Sequence, residues 1–322
     1  MPVRYRRPLA DTGQAGEPGR GFGRPDTVPA VALSVGFFGA GLIANYHARS
    51  LQLGGAQARV AVVFDPLRAR AETFAERFGA GVADDEEAVL DGCQAVYVCT
   101  WTSEHRRLVE AACARALPVF CEKPLATDLA GAQAMADAVR QAGVVNQVGL
   151  VLRSAPGFVL LRHLVADASS GRLLSVIFRD DQEIPLGGYY GSDWRGDRER
   201  AGSGTLLEHS IHDLDILEWF CGPINRLSAQ AANFHGLDGI EDTVAVSFGL
   251  RGGGTGVLTS VWHDVPGRIS SRRVEVFCER ARFWAEGNLA ETVGWEFEAG
   301  QARECTGSAV MAELDVRGWP VP

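Results

Sequence analysis

A chain of 322 residues, 46% apolar and 22% charged, is long enough for two domains and buries enough surface to fold without disulfide or metal staples. Forty acidic against 31 basic side chains leave a net charge of −9, which argues against a nucleic-acid binder working through the phosphate backbone. No run reaches the ~18–20 uninterrupted apolar residues of a membrane span, so no membrane partner is expected.

Residues 1–32 include twin arginines, Arg6 and Arg7. A polar, Gly/Pro-rich stretch follows where an export signal needs an apolar run, so a disordered tail or an over-extended start is expected. From Leu33 short apolar runs alternate with helix-length segments. Strands are predicted at 33–38, 58–65, 94–100, 117–122 and 144–151, and helices at 42–53, 67–78, 103–116 and 128–143. Continuously apolar strands separated by 10–15-residue helices indicate a doubly wound parallel sheet over residues 33–150. After a helix at 156–168 the rhythm changes. Apart from a helix around 205–220, the remainder reads as strands at 172–184, 225–234, 242–250, 255–264, 271–279, 281–286 and 292–298. Short Gly-containing turns join the later ones, so residues 151–322 read as an α+β domain on a mainly antiparallel sheet. The seven cysteines are odd in number and mostly sit in apolar runs. They read as buried side chains of a cytoplasmic protein rather than bridges or zinc ligands, and no metal is expected.

Three motifs carry chemistry. Gly39-Ala40-Gly41-Leu42-Ile43-Ala44, preceded by Phe38 as a further cofactor-binding candidate, follows the first strand and opens the first helix, with Ala44 as the third small position where helix and strand pack closely. Gly39 suits a tight turn, Gly41 lets backbone approach a pyrophosphate, and the helix N-terminus offers unpaired N–H groups. Asp65 ends the second strand, where a carboxylate accepts hydrogen bonds from the adenosine ribose. That favours NAD, with NADP the alternative that nearby Arg68 would tolerate. Glu122-Lys123-Pro124 ends the fourth predicted strand, on the side of the sheet where ligands bind, which places Glu122 and Lys123 beside the nicotinamide. Thr100, Trp101 and His105 follow the preceding strand on the same side and are candidates for shaping that pocket.

The third motif is "GTLLEHSIHDLDILEW" over 204–219. On one continuous helix Glu208, His212, Asp215 and Trp219 share a side, and Thr205 contributes to its start. Either this is a solvated polar face, or Glu208 orients His212 as an i,i+4 carboxylate–imidazole pair for acid–base work. His209 and Asp213 form a second pair of the same spacing.

"VGFFGAGLIANYH" (35–47), "CEKPLATD" (121–128), "VGLVLRSAPGF" (148–158), "SDWRGD" (192–197) and the 204–219 motif, in this order, resemble the glucose–fructose oxidoreductase/inositol dehydrogenase (Gfo/Idh/MocA) family. The resemblance implies a Rossmann domain and a C-terminal α+β domain whose open sheet mediates homo-oligomerisation, as a dimer or tetramer. It implies NAD(P)-dependent hydride transfer to or from a secondary alcohol or ketone of a sugar, inositol or related polyol. By motif, Lys123 corresponds to the family's catalytic lysine and His212 to its acid/base, with Glu208 where many members carry Asp. Arg153, Trp194 and Arg195 match positions lining the nicotinamide and substrate cleft. The alternatives are an NAD-retaining glycosidase and a non-catalytic NAD-binding sensor. The chain also ends at 311–322, earlier than many members, which bears on the last edge of the sheet.

Overall fold

The computed structural model describes residues 32–55, 57–187, 191–298 and 300–321. The predicted tail, apart from its last residue, lies outside them. The first half runs β1 (Leu33–Phe38), α1 (Leu42–Leu53), β2 (Ala58–Phe64), α2 (Arg68–Phe78), β3 (Gly81–Val82), α3 (Glu86–Asp91), β4 (Ala95–Val98), α4 (Thr102–Ala114), β5 (Val119–Cys121), α5 (Leu129–Ala142) and β6 (Asn146–Val148). Its six strands are all parallel, in the order β3-β2-β1-β4-β5-β6. This is the doubly wound Rossmann arrangement, whose strand order reverses between β1 and β4. Alternate residues of β1 face opposite helix layers. Val35 and Phe37 pack with Ala44 and Ala48 of α1, and Phe38 joins the core beneath α4 and α5. Local sequence chemistry sets the helix ends. Asp128 caps α5 by accepting the Gly131 N–H at 2.7 Å, and Gly143 closes it in a left-handed conformation.

The second half continues α6 (Pro156–Val165), β7 (Leu173–Glu183), α7 (Arg198–Ala201), α8 (Thr205–Glu208), α9 (Ile211–Cys221), β8 (Ile224–Ala232), β9 (Thr243–Leu250), β10 (Thr255–His263), β11 (Ser271–Cys278), β12 (Ala281–Gly287), β13 (Thr292–Phe297), β14 (Arg303–Thr306) and α10 (Ser308–Arg317). Its eight strands lie in the order β14-β13-β12-β11-β7-β10-β9-β8, antiparallel except for the β7–β10 pair. One face carries α6, α9 and α10, with Phe158, Leu161, Ile216, Leu217 and Leu314 packed against Phe178, Phe248, Val276 and Phe283. The strands alternate, so the opposite face is open and presents Ile177 and Val257, 46% and 43% exposed. Among the described residues, no helix is long and apolar enough to cross a membrane.

Three features depart from the sequence reading. β3 and α3 are too short to show a period. The last sheet edge is filled by β14, with α10 packed on α6. The helix expected around 205–220 is two helices, broken at His209 and Ser210.

Candidate active site

The glycine turn is built as its residue types require. Gly39 has φ +91°, and a β-carbon there would fall 2.5 Å from the Cys99 carbonyl oxygen, so only glycine fits. Asp65 straps the turn: its Oδ2 accepts the Ala40 N–H and its Oδ1 the Leu67 N–H, each at 2.9 Å. Both oxygens keep lone pairs for ribose hydroxyls. A β-carbon at Gly41 would meet nothing within 4 Å, and no side chain caps α1. The first N–H groups of a 12-residue helix therefore open onto free space beside a carboxylate. This cradle fits a dinucleotide. Arg68 donates to Glu72 at 3.0 Å and Asp84 at 2.8 Å, so its guanidinium is committed to acids rather than held ready for a 2′-phosphate.

At the carboxyl ends of β4 and β5, Thr100 and Trp101 lead into α4. The Arg200 guanidinium lies 4.3 Å from the centre of a Trp101 ring, so α7 of the second domain leans on the first domain here. His105 is 1% exposed and stands behind the cleft. Its Nδ1 is 2.8 Å from the Pro124 carbonyl and its Nε2 3.3 Å from that of Thr100. Burial lowers its pKa. The neutral ring has one N–H, which the shorter contact assigns to Nδ1 as donor to the Pro124 carbonyl. Glu122 is likewise buried rather than open to the cleft, beneath the backbone of Lys123.

Lys123 reaches across to the second domain. Its Nζ donates to the Glu208 carbonyl at 2.6 Å and lies 3.5 Å from Glu208 Oε1. The same Oε1 accepts from Arg195 Nε at 2.9 Å, and Glu208 is 3% exposed. One buried carboxylate thus holds two cations, one from each side of the cleft. Arg195 in turn lies over Trp194, 4.7 Å from guanidinium to ring centre, and Trp194 packs on the cluster of Ala201, Ile240 and Trp262.

The helix break explains why Glu208 serves Lys123 instead of His212. Ser210 Oγ donates to Asp180 Oδ2 at 2.9 Å, and His209 Nε2 lies 2.9 Å from the same oxygen. These anchors on β7 pull the chain out of helical register, and Glu208 and His212 no longer stack one turn apart. His212 Nδ1 is buried and has no hydrogen-bond partner. Burial, then the charges of Lys123 and Arg272 and the nearby His209, push the His212 pKa well below its ordinary value. The imidazole is neutral at neutral pH.

The second predicted pair, His209 and Asp213, meets at Arg272, whose Nη2 lies 3.4 Å from His209 Nε2. Asp213 Oδ1 accepts from Arg272 Nε at 2.6 Å, and Arg272 also holds Asn288. Burial pushes Asp213 up to about 6 despite the guanidinium beside it, and burial with Arg272 pushes His209 down to about 3. Arg272 is the buried counter-ion of this layer. Arg272→Met is expected to cost about 3–5 kcal/mol, as removing one partner of a buried pair does, read as a lowered midpoint in urea unfolding.

Arg153 forms a two-pronged pair with Asp215, through Nε at 2.7 Å and through Nη2, and faces Trp219 at 6.0 Å. Asp215 therefore belongs to Arg153 and not to a cluster around His212. Thr205 does not cap its helix: its hydroxyl meets Ser260 Oγ at 2.8 Å. The cap comes from Glu241, unforeseen in the sequence, whose carboxylate accepts the Gly204 and Leu206 N–H groups at 2.7 and 3.0 Å. His47, on α1 and 2.6 Å from Glu122, was also missed. Its inward place beside Ala44 and Ala48 was the available signal.

Residues 33–150 match the family described as an oxidoreductase family with an NAD-binding Rossmann fold, and residues 158–284 match its C-terminal domain. The myo-inositol 2-dehydrogenase of Thermotoga maritima is 30% identical over 271 residues, 81% of this chain and 77% of that protein. The inositol 2-dehydrogenase of Paracoccus denitrificans is 32% identical over 194 residues, 59% of this chain and 54% of that protein, so the chain spans about half the length of that relative. In fold, the chain is similar to the WlbA dehydrogenase of Chromobacterium violaceum, solved with NADH and UDP-GlcNAcA, at a TM-score of 0.79. The identity is 23%, covering 92% of this chain and 84% of that one. The strapped glycine turn, the lysine after β5, the histidine opening α9 and both family matches lead to one conclusion: this chain is a member of the Gfo/Idh/MocA family of NAD-binding oxidoreductases.

Proposed function

We propose that the chain is an NAD-dependent oxidoreductase that interconverts a secondary alcohol and its ketone on a sugar, inositol or related polyol. The observation that carries this reading is the meeting of Lys123 and the segment bearing His212. The ammonium is bonded to the carbonyl of Glu208, four residues before a histidine held neutral by burial and by that same positive charge. A neutral imidazole beside an ammonium suits the removal of a hydroxyl proton from an oxygen on which negative charge develops.

When bound, NAD supplies the acceptor for the hydride leaving the alcohol carbon. Lys123 donates a hydrogen bond to the alcohol oxygen and stabilises its developing charge. His212 has Nδ1 shut inside the fold, so Nε2 is the nitrogen that takes the hydroxyl proton. Glu208 holds Lys123 in place, and Arg195 on its Trp194 ring walls the cleft. Arg153, fixed by Asp215, offers polar contact to hydroxyls further from the reacting carbon. Residues 33–150 would carry the cofactor and residues 151–322 the substrate and a second copy of the chain. The half-apolar open sheet face, with Ile177 and Val257 beside the Arg273–Glu275–Arg282 ion pairs, supports that pairing. The seven unpaired cysteines support a cytoplasmic setting.

The experiment is absorbance at the reduced-nicotinamide band with NAD, and separately with NADP, across inositols, neutral sugars and amino sugars. Growth of that band with NAD and at least one polyol is expected. No change with any substrate would overturn the reading. Product formed without net absorbance change would replace it with a glycosidase that retains its cofactor.

A further inference from the structure

Glu122 stands beside the reacting end of the cofactor in sequence, yet its carboxylate faces inward and is 6% exposed. Both oxygens are engaged. Oε1 lies 2.6 Å from His47 Nε2, and Oε2 accepts the backbone N–H of Lys123 at 3.0 Å. Space for the group is reserved: a β-carbon at Gly149 would fall 2.8 Å from Oε1 and 3.0 Å from Oε2. The His47 ring is fixed as well. It meets Phe120 edge-on at 4.7 Å between centres and Tyr97 at 5.6 Å. His47 rides on α1, the helix whose first turn forms the dinucleotide cradle.

We propose that His47 and Glu122 are a positioning pair that ties the cofactor helix to the backbone of Lys123, and so aims the ammonium at the reacting oxygen. The proposal rests on the reading of Lys123 as catalytic. The Lys123 side chain reaches Glu208 from a backbone whose N–H Glu122 holds, so the point from which the ammonium is aimed is set by that carboxylate. Displacement of a catalytic group by about 1 Å costs on the order of 100-fold in rate. Without His47 the buried carboxylate loses its partner and is drawn toward water, which loosens its hold on the Lys123 amide. The pair therefore links the place where the pyrophosphate binds to the place where the proton is transferred.

The test compares His47→Gln with His47→Leu. The glutamine amide nitrogen falls where Nε2 stands and can donate to Glu122, whereas leucine fills the volume and cannot donate. Turnover of NAD with the best polyol from the screen above should fall about 10- to 100-fold in the leucine variant, with KM for NAD changed by less than about three-fold. Glutamine should restore most of the loss. A crystal structure of the leucine variant should show Lys123 Nζ moved off the Glu208 carbonyl. Unchanged kcat, or an unmoved Lys123, would overturn the proposal, as would equal losses in the two variants. Should the leucine variant fail to fold, His47→Asn, whose amide is too short to reach Glu122, replaces it with the same expected loss. Lys123→Ala in the same series separates the two readings. Retained turnover there defeats the catalytic lysine itself, whereas an inactive Lys123→Ala beside a fully active leucine variant defeats only the positioning pair.

Discussion

Lys123→Ala is expected to lower kcat by about 10³-fold, roughly 4 kcal/mol of transition-state stabilisation, while leaving NADH affinity within a few-fold. The split follows from where the charge sits. In the proposed reading the Gly39–Ile43 turn and the uncapped N-terminus of α1 would take the pyrophosphate, and Asp65 the ribose. Lys123 contributes to neither. Its Nζ points to Glu208 of the second domain, the side of the cleft where the proposed reading places the alcohol oxygen. NADH binding is read by fluorescence and kcat by absorbance. A ten-fold loss of NADH affinity with unchanged kcat would assign the lysine to the cofactor.

His212→Ala is expected to lower kcat by about 10²–10⁴-fold, the range for loss of a positioned general base. The pH profile gives a second reading of the same group. Oxidation needs the neutral imidazole, and burial together with the neighbouring Lys123 charge stabilises that form. The folded-state pKa is lowered, so protonation that stops oxidation sets in only below the ordinary histidine value near 6.5. In the wild type, kcat/KM for oxidation should be flat through neutral pH, with its acid limb displaced below 6.5. Removing the nearby positive charge in Lys123→Met should move that limb upward in whatever activity survives. An acid limb at or above 6.5 in the wild type would contradict the assignment of His212.

What the sequence made legible was local. The Gly39–Ile43 turn and the place of Asp65 at the end of the second strand lie within one β–α–β unit, and each stands where residue chemistry put it. What it hid was set by partners far along the chain. Asp180, 30 residues before Ser210, breaks the helix that periodicity made continuous. Glu241 caps α8 from 37 residues away, Arg153 and Asp215 meet across 62, and His47 and Glu122 across 75. A helical wheel drawn through 205–220 could not show that Glu208 turns to Lys123 and Arg195, because the break resets the angles on which the wheel relies. β14 was invisible for another reason: "RECT" is a polar edge strand whose residues bury no regular face.

A crystal structure of the protein with NADH and the polyol it turns over addresses the shared role of Lys123 and His212 most directly. The predicted result is a single substrate oxygen, on the carbon facing the nicotinamide, within about 3.2 Å of both Lys123 Nζ and His212 Nε2. A substrate carbon seated against the nicotinamide while either group is turned away from that oxygen would contradict the account.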